Sequence, residues 1–538
     1  MDKDTGEVVY DDSGVEQVIE TTFKAEEHLD TGKYGSYGDI IPNNHDGDGI
    51  TFSLNAESFA GRTLVVFEEL FKSGDDGMSP IASETDLENA DQTIHFPKIW
   101  TNAITDETQT SIALSGDGTS IIKDTVSYEN LIPGLAYRIK GRVIDKHKTE
   151  ETGTEVVATG TDGKEARNFV DFTPDSANGS IELSFDIDTS KYADDLKIYN
   201  GAVFVVFEEM YVIQKYEGDD AESIVAAHTD ISDETQTIYI PYITTTLLDT
   251  KTGLHIMYAE SGACLVDTVS YYSCKPGMQF FVSGRLIDME TGKVLRDSAG
   301  NEAKIEYQQV TAEGSGDGTW ELAYNIDASS IEGATVVAYA EVYIQGGKGE
   351  GGYTQVAVHD DFFDREERVY IPHIDTKAYD QDTVNHIAHA DGSVYVVDEV
   401  TYDNIIPNVN YTLESELRWR NADGSDGGRV TDASGREQFI TTRFFADHDM
   451  TDDQYLTYGK ITPDNSGGGI IFHFNAEGFD GKTVVVYERL YIEKDDGTKH
   501  LVADHQDITD EGQSIHFPKV WTDALGTVSK LNTTLQRQ

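Results

Sequence analysis

One block of sequence recurs four times in this chain, at intervals as long as a whole domain. Its fullest copy reads VVFEEMYV at 205–212, followed by AAHTDISDETQTIYI at 226–240. A glutamine near the end of the block falls at Gln92, Gln236 and Gln513, and Glu367 takes its place in the third copy. The intervals are 144, 131 and 146 residues (236 − 92, 367 − 236, 513 − 367). Intervals of this length predict four tandem domains rather than a solenoid of short repeats.

A second block precedes the first one in three of the four copies. It reads DTVSYENLIPGLAYRIKGRVID at 124–145, with a close copy at 267–288 and an eroded one at 398–419. Since the first copy of VVFEE has no such partner, we interpret the first domain as N-terminally truncated. The predicted domains cover 1–101, 102–243, 244–373 and 374–522, and 523–538 is a tail outside the repeats.

Composition excludes several classes of protein. A net charge of −58 argues against a nucleic-acid binder that works through basic patches. The 38% hydrophobic and 10% aromatic residues are ample for folded cores. The apolar runs are too short to span a membrane, and no signal segment opens the chain. We interpret the sequence as an internal piece of an extracellular protein, with its signal peptide and anchor elsewhere.

The local patterns predict an all-β chain. Runs such as GITFSL, GSIELSFDI and TIYIPYI are rich in β-branched and aromatic residues and are separated by Gly, Asp, Asn and Pro. Short strands at this density indicate β-sandwiches. DGDG at 46–49 lacks the full ligand spacing of a calcium loop, so we predict a turn there and neither a metal nor a cofactor.

Domain 2 holds a set of residues that suits a self-made ester. A threonine hydroxyl can attack a carboxamide only if a base takes its proton, an acid protonates the departing ammonia and water is excluded. Thr125, Asp145, Glu208, His228 and Gln236 supply these groups. If the first and last strands pair, Thr125 and Gln236 should face each other at roughly 5 Å.

These motifs together resemble the VaFE repeat, or ester-bond domain, of surface-anchored adhesins of Gram-positive bacteria. The resemblance implies Ig-like (CnaB-like) β-sandwiches in an elongated array, each with an intramolecular Thr–Gln ester. It assigns Thr125 as nucleophile and Gln236 as acyl donor. Asp145, Glu208 and His228 would promote proton transfer, in roles that the sequence does not apportion. Such cross-linking is a single turnover, so we do not expect an enzyme.

Domain 3 has lost part of this set. Thr268, Asp288 and His359 are kept, whereas Ala340 stands at the Glu208 position and Glu367 at the Gln236 position. We therefore predict no ester there, because a carboxylate is a far worse acyl donor than a carboxamide. Whether Cys264 and Cys274 form a replacement disulfide is left open. Ten residues of straight strand would separate them by about 33 Å.

The remaining two domains are also predicted to lack the bond. Domain 4 keeps Glu488, His505 and Gln513 but has Glu399 and Trp419 at the positions of the threonine and the aspartate, with Thr401 as a weak substitute. Domain 1 lacks the threonine strand and keeps three residues, with Glu84 at the histidine position. The residues kept are Asp2, Glu68 and Gln92.

The function predicted from these features is a structural stalk segment of a cell-surface adhesin or pilus-like protein. We expect a monomeric array in the Gram-positive cell wall, with no nucleic-acid partner, that presents a host- or matrix-binding domain outside this chain. One alternative is direct binding of a host protein or glycan through the inserts at 29–39 and 450–460. A hydrolase is another alternative, although the reacting groups would be consumed in one turnover. An isopeptide-forming domain is the third, but no lysine stands in place of Thr125 in the second block, which begins at 124.

Overall fold

A computed structural model of the chain describes residues 1–10, 13–23, 40, 50–72, 79–114, 118–189, 201–216, 219–446, 457–461, 469–494 and 496–523. The turn at 46–49, the insert at 29–39, most of the insert at 450–460 and the tail after 523 lie outside these residues. Strands dominate the described part, which confirms the predicted all-β class of tandem sandwiches. None of its helices is long and apolar enough to cross a membrane.

The chain forms two compact units. The first comprises 1–242 with 273–275 and 346–356, and the second comprises 243–272, 276–345 and 357–538. Domains 1 and 2 lie in the first unit, and domain 4 and most of domain 3 lie in the second.

Domain 1 has four short described strands. They are β1 (Thr63–Val65), β2 (Glu68–Leu70), β3 (Ala82–Glu84) and β4 (Thr93–His95), with single 3-10 turns at Glu57–Phe59 and Ala90–Gln92. β1 pairs with β4 and β2 pairs with β3. Val9, Phe59 and Leu64 form its small buried core.

Domain 2 is a two-sheet sandwich. Its elements are β5 (Lys98–Thr105), β6 (Ser120–Glu129), β7 (Tyr137–Asp145), α1 (Lys146–Thr152), β8 (Arg167–Phe172), β9 (Gly179–Ile187), β10 (Ala202–Tyr216), β11 (Asp219–His228) and β12 (Thr237–Ile240). One sheet has the order β5-β6-β9, and the other has the order β11-β10-β7-β8 with β12 also on β10. Ile122 and Val126 of the first sheet share one core with Val143 and Val206 of the second.

Domain 3 repeats this plan. Its strands are β13 (Tyr242–Asp249), β14 (Ala263–Tyr272), β15 (Gln279–Asp288), β16 (Lys293–Val294), β17 (Lys304–Thr311), β18 (Gly318–Ile326), β19 (Thr335–Gln345), β20 (Tyr353–His359) and β21 (Arg368–Tyr370). The orders are β13-β14-β18 and β16-β15-β19-β20, with β17 on β15 and β21 on β19. Cys264 lies near the start of β14 and Cys274 lies two residues after its end, and neither is in a disulfide.

Domain 4 has the same two sheets. Its strands are β22 (His373–Asp380), β23 (Val394–Asp403), β24 (Asn410–Arg420), β25 (Asp426–Arg429), β26 (Phe439–Phe445), β27 (Tyr458–Ile461), β28 (Ile470–Phe474), β29 (Thr483–Glu493), β30 (Lys499–His505) and β31 (Ser514–His516). β22 and β23 pair in one sheet with β27 and β28, and the other has the order β25-β24-β29-β30 with β26 and β31 attached.

The first strand of each later domain begins earlier than the sequence blocks suggested. β5 pairs with β6 along its whole length, so the predicted boundary at 101/102 divides the first strand of domain 2. The boundaries at 243/244 and 373/374 likewise fall inside β13 and β22. A single proline, Pro241, separates the last strand of domain 2 from the first strand of domain 3.

Candidate functional site

The centre of domain 2 joins a threonine, a glutamine and a glutamate that are all buried. Gln236 Nε2 donates to Thr101 Oγ1 at 2.5 Å and to Glu208 Oε2 at 2.5 Å. Thr101 lies on β5 and Glu208 lies on β10 of the opposite sheet. Gln236 and Glu208 are fully inaccessible to solvent, and Thr101 is 4% exposed. A hydroxyl and a carboxamide therefore meet in a site without bulk water.

Backbone hydrogen bonds on both sides of Gln236 fix this meeting. Ala103 N donates to Thr235 O at 2.9 Å, which ties the glutamine turn to β5. Val206 N donates to Gln236 O at 3.1 Å, which ties the same turn to β10. The glutamine turn is thus held between β5 and β10, whereas the prediction took β6, the strand of Thr125, as the first strand.

A second carboxyl, that of Asp124, completes the buried site. Asp124 lies on β6, where its Cα partner is Ala103 of β5, and it is fully buried. Burial raises its pKa. Burial and the nearby negative charge of Asp124 raise the pKa of Glu208 well above its usual range. Since the two carboxyls are buried neighbours that affect each other's pKa, we interpret them as a pair that shares a proton.

His228 stands beside this pair. It is the Cα partner of Glu208 across β10 and β11. Its Nε2 lies 2.7 Å from Asp233 Oδ2, and Asp233 Oδ1 accepts from Thr235 N at 2.7 Å. The histidine and the glutamine turn are thus held by the same aspartate.

Two predicted residues of domain 2 are in the wrong place. Thr125 is exposed, because alternate residues of a strand point to opposite faces and Asp124 takes the inward position. The prediction that Thr125 faces Gln236 is therefore wrong. Asp145 caps α1 by accepting from Lys148 N at 3.1 Å. It lies four residues along β7 (145 − 141) from Gly141, the Cα partner of Glu208, which corresponds to about 13 Å.

The residues that sequence reasoning missed do carry a signal. A threonine follows Pro97, Pro241 and Pro372 by four residues in each case, at Thr101, Thr245 and Thr376. The intervals are 144 and 131 residues (245 − 101, 376 − 245), identical to those between the first three glutamine positions. The aspartate that opens the second block is likewise constant, at Asp124, Asp267 and Asp398.

Domain 4 contains the complete set, contrary to the prediction that it has no nucleophile. Gln513 Nε2 donates to Thr376 Oγ1, and Gln513, Glu488 and Asp398 are fully buried. Burial raises the pKa of Asp398 to about 6. Burial and the Asp398 charge raise that of Glu488 well above its usual range. His505 Nε2 lies 2.7 Å from Asp510 Oδ2, as in domain 2.

The residues that led to this wrong prediction lie away from the domain 4 site. Glu399 pairs with Lys460 at 3.1 Å. Thr401 is exposed and donates to Asp375 O at 3.2 Å. Trp419 packs edge-on against Phe479, with ring centroids 4.6 Å apart.

Domain 3 keeps the threonine and the first aspartate but has lost the reactive groups. Thr245 and Asp267 are buried, and Ala340 and Glu367 replace the glutamate and the glutamine. Ala340 is the Cα partner of Gly284, and the hydroxyl of Tyr324 lies over that glycine, 2.2 Å from where a Cβ would be. Thr268 and Asp288 do not join the site, since Thr268 lies outward on β14 and Asp288 accepts from Glu290 N at 2.9 Å. This set contains no carboxamide.

Burial disfavours ionisation of the two acids of domain 3. Burial raises the pKa of Asp267 to about 7. Burial, with the charges of Asp267, Asp364 and Glu366, raises the pKa of Glu367 to about 9. His359 is held by Asp364, with Nε2 and Oδ2 3.0 Å apart.

Domain 1 lacks the arrangement in its described residues. Glu68 and Glu84 are Cα partners, and Asn89 Nδ2 donates to Glu84 Oε1 at 3.2 Å, which replaces the histidine–aspartate pair. Gln92 is only half-buried. Asp2 pairs with Arg62 at 2.6 Å.

Domain 3 is expected to lose stability as pH rises from about 4 towards 9. Both carboxyls ionise near pH 4 in an unfolded chain, whereas the folded pKa values are about 7 for Asp267 and about 9 for Glu367. The folded state binds more protons in this window, so the free energy of unfolding falls by at most about 1.4 kcal/mol per pH unit for each carboxyl. The contribution of these two carboxyls is fully present below about pH 4.

Urea unfolding followed by Trp320 fluorescence checks this expectation, in a chain whose other three tryptophans are replaced by phenylalanine. Trp320 is the single tryptophan of domain 3. The Glu367→Gln variant should show a shallower decline with pH. A domain 3 midpoint that rises with pH would contradict the expectation.

In the described part of the chain, no group of three or more His, Cys, Asp and Glu side chains is arranged to hold a metal ion.

Several solved structures resemble the chain weakly. An adhesin from Mobiluncus mulieris with intramolecular disulfide, isopeptide and ester bond cross-links shares 14% identity over 54% of this chain and 90% of its own, with a TM-score of 0.22. A structure of a 1.5-MDa bacterial ice-binding adhesin shares 9% identity over 78% of this chain and 98% of its own, with a TM-score of 0.20. The trypsin-activated alpha-2-macroglobulin of Escherichia coli shares 12% identity over 78% of this chain and 24% of its own, with a TM-score of 0.17. All three scores are below 0.5, so the family assignment rests on a different comparison.

No curated protein matches the chain. A family model, the T-Q ester bond containing domain, matches residues 1–96, 97–240, 241–371 and 372–517 in direct succession. These ranges begin each later domain at the strand that carries Thr101, Thr245 or Thr376. The predicted resemblance to ester-bond domains is therefore confirmed, and the chain belongs to the family of T-Q ester bond containing domains, with four tandem copies.

Proposed function

We propose that domains 2 and 4 each close an intramolecular ester, between Thr101 and Gln236 and between Thr376 and Gln513. The observation that carries the proposal is that the carboxamide nitrogen of each glutamine contacts the threonine hydroxyl inside a fully buried site. Attack by the threonine oxygen on the glutamine Cδ forms a C–O bond and breaks the C–N bond. Threonine and glutamine are consumed, and one ammonia leaves.

The two carboxyls of domain 2 suit opposite proton transfers. Asp124 lies beside Thr101, and in our assignment its carboxylate accepts the hydroxyl proton. Glu208 contacts Gln236 Nε2 and has the more strongly raised pKa, through burial and the Asp124 charge. Its protonated form is the acid that we assign to the departing nitrogen. His228, which faces Glu208 across the strands, stabilises the charge left on the pair.

The position of the proposed bond suits a chain of tandem domains under tension. Thr101 lies on the first strand of domain 2, and Gln236 directly precedes the last strand. An ester between them carries tension past the 134 residues in between (235 − 102 + 1). We therefore propose a stalk segment of an extracellular adhesin of the Gram-positive cell surface, which presents a ligand-binding domain outside this chain. The family membership and the repeated sites support this role.

Intact-mass spectrometry of the denatured chain tests the proposal. The full chain should be lighter than its sequence by two molecules of ammonia, and Thr101→Ala or Thr376→Ala should each restore one. Digestion should then yield one peptide that joins the Thr101 segment to the Gln236 segment. A mass equal to that of the unmodified sequence would refute both esters, and a loss that persists in the double variant would refute the assigned threonines.

A further inference from the structure

Domain 3 differs from its two neighbours in how its ends are joined. Leu247 N donates to Glu366 O at 2.9 Å, and Ala338 N donates to Glu367 O at 3.0 Å. The same two backbone bonds frame the glutamine in domain 2. In domain 3, however, the side chain between them is a carboxyl, and the acid partner is replaced by Ala340. Its first and last strands are thus connected by noncovalent contacts only.

The remains of the site weaken domain 3 further. Six buried oxygens have no hydrogen-bond partner within the described residues. They are Thr245 Oγ1, Asp267 Oδ1 and Oδ2, Tyr324 Oη, and Glu367 Oε1 and Oε2. Each unsatisfied buried group reduces the stability of the folded state. The sites of domains 2 and 4 have four and five such oxygens, but there the proposed ester offsets their effect. Domain 3 has therefore kept the polar site without the bond that the site makes elsewhere.

We propose that domain 3 is the extensible element of the array, which unfolds under tension and refolds on release while domains 2 and 4 stay closed. This proposal rests on the esters proposed above. It gives the chain a function that uniform cross-linking would not supply, namely absorbing a sudden load without rupture. The substitutions at Ala340 and Glu367 are then the features that make the domain extensible.

The connection of the domains directs load to this element. One residue, Pro241, joins β12 to β13, and two residues, Ile371 and Pro372, join β21 to β22. Tension that enters domain 3 therefore acts on its terminal strands. The last of these, β21, is only three residues long (Arg368–Tyr370). Full extension of residues 241–371 (371 − 241 + 1 = 131 residues) reaches about 450 Å.

Domain 3 also carries its own reporter of unfolding. The chain has two cysteines, Cys264 and Cys274, and both lie in domain 3. Cys274 is fully buried, and Cys264 is half-buried. Because residues 273–275 belong to the first compact unit, labelling of Cys274 is read together with the fluorescence of Trp320, which is buried in domain 3.

Single-molecule stretching of the full chain tests the proposal. The expected trace has one extension step that matches the 131 residues of domain 3, and the step returns after relaxation. The first domain adds at most a step for its 96 residues. The Thr101→Ala/Thr376→Ala variant should gain two further steps. Absence of the 131-residue step, with domains 2 and 4 closed, would overturn the proposal. Steps from domains 2 and 4 in the unaltered chain would instead refute the esters.

Thiol labelling in solution gives an independent test. The full chain is incubated in increasing guanidinium, pulsed with iodoacetamide and then exposed briefly to protease. Cys274 should be labelled, and the Trp320 fluorescence of the chain whose other tryptophans are replaced should change, at concentrations where domains 2 and 4 still resist cleavage. A Trp320 signal that stays constant until domains 2 and 4 are digested would overturn the proposal. So would a cross-linked Thr245–Glu367 peptide lighter by one water, because that mass would show a covalent clamp in domain 3.

Discussion

Thr101→Ala should lower the free energy of unfolding of domain 2 by about 5 kcal/mol, the effect of a loop closure of this size by analogy with disulfides. The proposed bond closes a loop of 135 residues (236 − 101). The hydroxyl that Gln236 contacts at 2.5 Å is removed, while the loss of one methyl-sized group has little effect on packing. Guanidinium unfolding, read by protection of domain 2 peptides from protease, measures the change.

Thr125→Ala is the matched control, because it makes the same chemical change on the neighbouring strand. Thr125 is exposed and opposite Asn102 of β5, so the variant should keep the bond and its stability should change by less than about 0.5 kcal/mol. An equal decrease in the free energy of unfolding in the two variants would show that the effect comes from strand propensity. A loss of ammonia that Thr125→Ala abolishes and Thr101→Ala leaves intact would overturn the assignment of the nucleophile.

The sequence predicted the repeats, the all-β class and three of the five site residues of domain 2. Glu208, His228 and Gln236 could be found because a VVFEE-like segment recurs in each copy and the histidine position always lies eight residues before the glutamine position (236 − 228). Their proximity follows from local pairing, since Glu208 and His228 are Cα partners on adjacent strands. Period-two alternation then turns both side chains towards the same face.

The other two site residues were missed for one physical reason. β5 follows the last strand of domain 1 so closely that its sequence reads as the end of that domain. Because β6 was taken as the first strand, its threonine, Thr125, was assigned as the nucleophile. The inward residue is its neighbour Asp124, and an error of one position in a strand moves a side chain to the opposite face. The sheet order, which places β5 beside β6, assigns Thr101 to domain 2, in agreement with the family match that begins at residue 97.

The same error reversed the conclusion for domain 4. Glu399 stands at the position of Thr125 and was interpreted as a lost nucleophile. Once β22 is recognised as the first strand, Thr376 occupies the position of Thr101. The conclusion for domain 3 does not depend on the strand, because the carboxamide itself is absent at Glu367.

Domain 3 should become cross-linked when it is given the three residues that domain 2 has at its site. Ala340→Glu restores the acid, Glu367→Gln restores the carboxamide, and Tyr324→Phe frees the space that the tyrosine hydroxyl fills. Phe185 of domain 2 is the model for the last change, because a Cβ on Gly141 would contact its ring as one on Gly284 would contact Tyr324.

In this triple variant, Thr245 and Asp267 are already in place on β13 and β14. Its intact mass should therefore show three ammonia losses instead of two, and the extension step of domain 3 should disappear. Glu367→Gln alone supplies the acyl donor without the acid that protonates the leaving nitrogen, so it should cross-link at least about 100-fold more slowly. The triple variant with Thr245→Ala should lose only two ammonias. If the triple variant folds, as judged by the fluorescence of Trp320, and still loses only two ammonias, then position in the fold and these five side chains are not sufficient for the bond. If instead it loses three, the difference between a locked and an extensible domain resides in three side chains.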